Sequence, residues 1–93
     1  MNASASVQAD LPSQARIRWL CRRGMKELDV LLELFFAAEY ASLSTADQTL
    51  FYTLVQLEDP ELYGYMMGRN TPDQADLAEM VIRIRDYRVV GTA

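Results

Sequence analysis

Between Arg16 and Asp29 the chain gathers the side chains best suited to chemistry. They are Arg16, Arg18, Trp19, Arg22, Arg23, Lys26, Glu27 and Asp29, interrupted by Gly24. That chemistry is recognition. Five of the nine Lys and Arg fall in this span, on a chain of net charge −4. A small cationic patch on an acidic body suits docking to an acidic protein surface. It does not suit a duplex, whose phosphates call for cations clustered over a whole face. A tryptophan with arginine neighbours also has the composition of an interaction hot spot.

Each of these residues has a structural explanation as well. Trp19 can serve as core or as a partly covered flank. Arg22 and Arg23 complement the negative end of a helix dipole, an effect of about 0.3–1 kcal/mol. Gly24 can simply stop a helix. Glu27 can favour the positive end of the next one. Catalysis is disfavoured from the start. The sequence contains no histidine, the commonest general base near neutral pH and the commonest metal ligand. Any Ser-His or Cys-His nucleophile pair is thereby excluded. The chain is read as a non-enzyme.

The elements that must position these residues are helical. Ninety-three residues make one domain, 51% hydrophobic, which argues against disorder. No apolar run approaches the ~20 residues that span a bilayer, so no direct membrane insertion is expected. Met1 to Gln14 carry Asp10, no basic side chain and no apolar block, unlike a secretory signal or an Arg-rich transit peptide. A cytoplasmic location is expected. The lone Cys21 leaves no internal disulfide to form.

Punctuation divides the chain into five helices, an all-α compact five-helix bundle. A loose leader over residues 1–11 precedes a single domain over 12–88, and 89–93 fray. The first helix is expected from Pro12 to Arg23, with Ser13 as cap and Gly24 as stop. Arg16, Trp19 and Arg23 then share a sector about 60° wide, beside an apolar sector of Ile17, Leu20 and Cys21. The second helix runs from Met25 to Tyr40. Its stripe of Leu28, Leu31, Leu32, Phe35 and Phe36 brings ~1.5–3 kcal/mol per buried side chain. Ser44 caps a third helix that presents Leu50, Phe51, Leu54 and Val55 and stops near Glu58. Asp59 caps a short fourth helix, with Pro60 at its first position and Gly68 beyond its end near Met67. Thr71 and Gln74, at capping-box spacing, open the fifth, whose stripe is Leu77, Met80, Val81 and Ile84.

The run Arg16-Ile17-Arg18-Trp19, followed by Arg22-Arg23-Gly24-Met25-Lys26-Glu27-Leu28-Asp29, resembles the signature of the succinate dehydrogenase assembly factor 2 family. That family's Arg-Gly-x-x-Glu motif falls on Arg23, Gly24 and Glu27. Looser similarity continues through Phe35-Phe36, Glu39-Tyr40, Leu43-Ser44 and Asp59-Pro60-Glu61-Leu62. A departure lies near Tyr65, where relatives are expected to carry tryptophan. The resemblance implies a small helical monomer that binds the flavoprotein subunit of succinate dehydrogenase, or of the related fumarate reductase, and promotes its covalent FAD attachment. It implies that FAD belongs to the client and that this chain binds no cofactor stably. It places client contacts at Arg16, Trp19, Arg23, Gly24, Met25, Glu27 and Asp29. Gly24 lets a partner backbone approach closely. Arg23 offers a fork of donors for a client carboxylate or carbonyl. Glu27 takes a client cation or holds Arg23. Members of the family are also described as the antitoxin half of a toxin–antitoxin pair with a small membrane protein, which is the alternative function.

Elsewhere Asp73, Asp76 and Glu79 stand at i, i+3, i+6. They read as a solvated acidic face before a metal site. Glu58, Asp59 and Glu61 form a second acidic cluster, partly explained by capping. Met66 and Met67 read as core filling, and Cys21 as a small buried residue.

Overall fold

The computed structural model describes residues 11–87. All but Leu11 of the expected leader, together with Arg88 and the expected tail over 89–93, lie outside the described residues.

Ser13 starts α1, Gln14–Leu20, by accepting a hydrogen bond from the Arg16 amide at 3.2 Å. The helix ends three residues earlier than the sequence suggests. Cys21 and Arg22 bond back to the carbonyls of Arg18 and Trp19 in a tightened last turn. The amide of Arg23 turns away to Asp29 Oδ1, so no further helical rung forms.

The second helix, α2, is Lys26–Glu39, capped by the backbone of Met25 and continued by a single 3₁₀ turn, Tyr40–Ser42. Leu28, Leu32, Phe35 and Phe36 are buried as their spacing requires, and Leu31 is half-buried.

Ser44 caps α3, Thr45–Val55, through the Asp47 amide at 3.1 Å. This helix stops at Val55 rather than near Glu58. The Gln56 amide is shared between the Tyr52 and Thr53 carbonyls, and Leu57 bonds to Leu54. The turn leaves the carbonyls of Val55 and Leu57 to a side chain from another element.

The cap of α4, Asp59–Met66, is Glu58, and Pro60 occupies the second helical position. Asp59 was the expected cap; its carboxylate is instead drawn to Arg23. Gly68 follows α4 with φ +78°, and Arg69 bonds back to the Gly64 carbonyl at 2.8 Å.

The last helix, α5, is Ala75–Asp86 and opens after Gln74, without a side-chain cap. The expected box of Thr71 and Gln74 does not close. Pro72 is buried there, so the segment before α5 packs against the body instead of winding into a first turn.

The five helices share one core. α5 packs against α2, α3 and α4, while α1 packs against α3. Ile17 and Cys21 enter the core from α1, and Leu77, Met80, Val81 and Ile84 from α5. Phe35 and Phe51 stack at 5.9 Å, and Phe36 and Tyr40 at 4.8 Å. Among the described residues no strand occurs and no polar side chain is buried.

Candidate functional site

The elbow between α1 and α2 is built by two side chains that hold its backbone. Asp29, in the first turn of α2, accepts from the amides of Arg23 at 2.7 Å and Gly24 at 3.2 Å. Arg23 holds the elbow to the turn between α3 and α4. Its Nε donates to Asp59 Oδ1 at 2.8 Å, and Nη1 to the carbonyls of Leu20 at 3.0 Å and Val55 at 2.6 Å. Nη2 donates to the Leu57 carbonyl. The Leu20 and Val55 carbonyls lie at helix ends, where the helix itself supplies no donor, and that of Leu57 lies in the turn between α3 and α4. The fork thus closes α1, closes α3 and pairs with the first residue of α4.

This arrangement corrects the geometry read from the sequence. Arg23 does not share the outer sector of α1 with Arg16 and Trp19, because α1 ends at Leu20. Its side chain is only 11% exposed and its fork is committed to acceptors within the bundle. Asp29 is likewise spent on the elbow amides. Both act by shaping the elbow.

What they shape is Gly24. It has φ +82°, a conformation that L side chains rarely adopt, and it is exposed. A Cβ built on it meets nothing within 4 Å, so the space in front of it is open. Glu27 and Lys26 are exposed beside it, and Met25 is half-buried against the core.

Along α1, Trp19 is 64% exposed, which settles it as a surface residue. The Arg16 guanidinium lies 5.6 Å from the centre of its ring, a cation–π contact that orients both. Ile17 and Cys21 are buried and Leu20 half-buried, as the apolar sector required. Burial pushes the Cys21 thiol up to about 12, with Glu33 adding to the effect, so it stays protonated and unreactive.

The sequence reading missed Asp59 as a partner of Arg23. The two stand 36 positions apart, and an aspartate before proline gives only a capping signal. It also missed Val30 and Leu34, 48% and 42% exposed on the outer side of α2. Their signal was present, since Val30, Leu34 and Ala37 form a second i, i+4, i+7 stripe. Asp73, Asp76 and Glu79 form no metal-holding group, and none occurs among the described residues.

Gly24 is thus exposed at the elbow, on the chain segment that also carries the exposed Trp19 and Lys26. A family model described as the flavinator of succinate dehydrogenase matches residues 15–88, which take in all five helices but for Gln14, the first residue of α1. The chain belongs to this family. It is 46% identical over 76 residues to the FAD assembly factor SdhE of Shewanella oneidensis, covering 82% of this chain and 93% of that protein. It is 42% identical over 77 residues to the protein of the same name from Photorhabdus laumondii, covering 83% and 88%. For the Yersinia pestis protein of that name the identity is 40% over 72 residues, covering 77% and 82%. Family membership thus covers the elbow and the helices that hold it. No helix among the described residues is long and apolar enough to cross a membrane.

Proposed function

We propose that this protein is an assembly chaperone, not an enzyme, for the flavoprotein subunit of succinate dehydrogenase, and that it promotes covalent attachment of FAD to that subunit. The fumarate reductase flavoprotein is the second client. The observation that carries this reading is the family match, whose description is flavinator of succinate dehydrogenase and whose span includes the elbow. The relatives named as FAD assembly factors support it.

The client contact centres on Gly24, with Arg16, Trp19, Met25 and Glu27 around it. Arg23 and Asp29 contribute by fixing the backbone on which Gly24 sits. The bare glycine admits client backbone, and Glu27 faces a client cation. FAD is carried by the client, and this chain holds none stably. The chain acts as a cytoplasmic monomer by holding the client where flavin and attachment site are aligned. Orientation of that kind can remove several kcal/mol from a barrier, up to about 7–11 in the best cases.

The test is capture of the purified flavoprotein subunit by immobilised wild-type and Gly24→Arg proteins. The substitution meets open space but carries the strain of the left-handed backbone, so circular dichroism first checks that the variant is folded, and the arginine then projects into the docking surface. Loss of capture by a folded Gly24→Arg protein supports the reading, and undiminished capture overturns it.

A further inference from the structure

Four large hydrophobic side chains are well exposed among the described residues, and three of them share one face. Trp19 lines a shallow groove with Ala15, Arg18 and Arg22 on the outer side of α1. Val30 and Leu34 line a second with Glu33 and Ala37 on α2. Arg18 lines both, so the two grooves are halves of one surface. Arg22 Nε lies 3.4 Å from Glu33 Oε2 and joins the helices across it. Arg18 forms no salt bridge among the described residues. The result is an unpaired cation between a tryptophan on one side and an aliphatic strip on the other. Val30 to Ala37 spans about 10 Å at 1.5 Å per residue, the length of two helical turns.

We propose that this face is a second docking surface, which shares Arg16 and Trp19 with the Gly24 contact and adds Arg18, Val30 and Leu34 to it, and that it takes an acidic amphipathic segment of the client flavoprotein. The proposal rests on the chaperone reading above. The occupant follows from complementarity. Arg18, with Arg16 and Arg22 on the same helix, calls for a carboxylate. Trp19, Val30 and Leu34 call for apolar side chains on either side of it. A second copy of this chain fits poorly, because a two-fold interface sets the same arginines against each other. The sum of the two surfaces explains how so small a protein holds a large client in one orientation.

The experiment measures affinity for the purified flavoprotein subunit by titration calorimetry. Four variants are compared with wild type: Val30→Ser/Leu34→Ser, Arg18→Glu, Gly24→Arg and, as a control on α5, Ile82→Ser. All the groove positions are exposed, and thermal melting confirms that each variant is folded. The expected result is a Kd raised ten-fold or more by the double serine variant and by Arg18→Glu, with Ile82→Ser unchanged. Arg18→Glu also flattens the salt dependence of binding. If the groove variants bind as tightly as Ile82→Ser while Gly24→Arg loses binding, the second surface is overturned and the elbow reading survives. If Gly24→Arg also binds like wild type, the elbow reading falls as well. Sedimentation showing that the groove variants alter only self-association assigns the face to a second copy and equally overturns the proposal.

Discussion

Arg23 Nε donates to Asp59 Oδ1 across 2.8 Å, joining the α1–α2 elbow to the start of α4 over a sequence separation of 36 residues. The same guanidinium also closes the carbonyls of Leu20, Val55 and Leu57. The arginine of the family motif therefore bolts the elbow to the turn between α3 and α4.

Replacing Arg23 with Ala leaves these partly buried acceptors without a donor. The expected cost is about 3 kcal/mol, in the range for removing one partner of a buried charged network. Arg23→Lys keeps the charge but cannot span the acceptors, and falls in between. Asp59→Asn costs about 1 kcal/mol or less, because Asp59 is half-exposed and the amide oxygen still accepts. Urea unfolding followed by circular dichroism orders the three variants. Equal stability of Arg23→Ala and wild type contradicts the clamp.

Asp29→Ala frees the amides of Arg23 and Gly24 together. The loss is comparable to that of a helix cap, about 1–2 kcal/mol. Hydrogen exchange is the sharper readout. The Arg23 and Gly24 amides lose protection in Asp29→Ala, whereas the core amides of α2 slow or quicken only with global stability. Client affinity is expected to fall in the same variant, because the elbow backbone that carries Gly24 is released.

Gly24→Ala costs about 1–2 kcal/mol from its left-handed backbone alone, since the new methyl meets no atom within 4 Å. Its client affinity drops less than that of Gly24→Arg. If alanine and arginine weaken the client equally at matched stability, the effect is backbone strain and not obstruction of a docking surface.

Cys21 is expected to resist alkylation at pH 8 in the native protein and to react at once in denaturant. Its folded value, about 12, lies above that of the unfolded thiol. The raised value contributes stability that is full below the unfolded value, near 9, and is lost as pH rises from there toward 12. Comparison of wild type with Cys21→Ala isolates this loss. A stability difference that does not change between pH 8 and 11 contradicts burial of the thiol.

The sequence reading succeeded where signals are local. Ser13 and Ser44 sit three residues before the amides they cap. The stripe Leu77, Met80, Val81 and Ile84 lies on one face of α5 by periodicity alone. Trp19 was open between core and surface, because one tryptophan at the edge of an apolar sector fits both. The destination of Arg23 was not legible. Its partners are carbonyls, which every residue has, and a carboxylate reached only once α3 and α4 have packed. Asp59 was misassigned for the same reason, since the long-range ion pair overrode a local capping preference. The second face of α2 was visible as a pattern, but the core stripe on the same helix masked it.

The central claim is that the exposed Gly24 elbow grips the flavoprotein and thereby promotes flavin attachment. It is tested most directly by removing the gene and restoring either the wild-type or the Gly24→Arg chain. Covalent flavin fluorescence is then read on the denatured succinate dehydrogenase flavoprotein. The account predicts a full signal with wild type and a strongly reduced one with folded Gly24→Arg. Undiminished covalent flavin with Gly24→Arg, or in the absence of the gene, contradicts it.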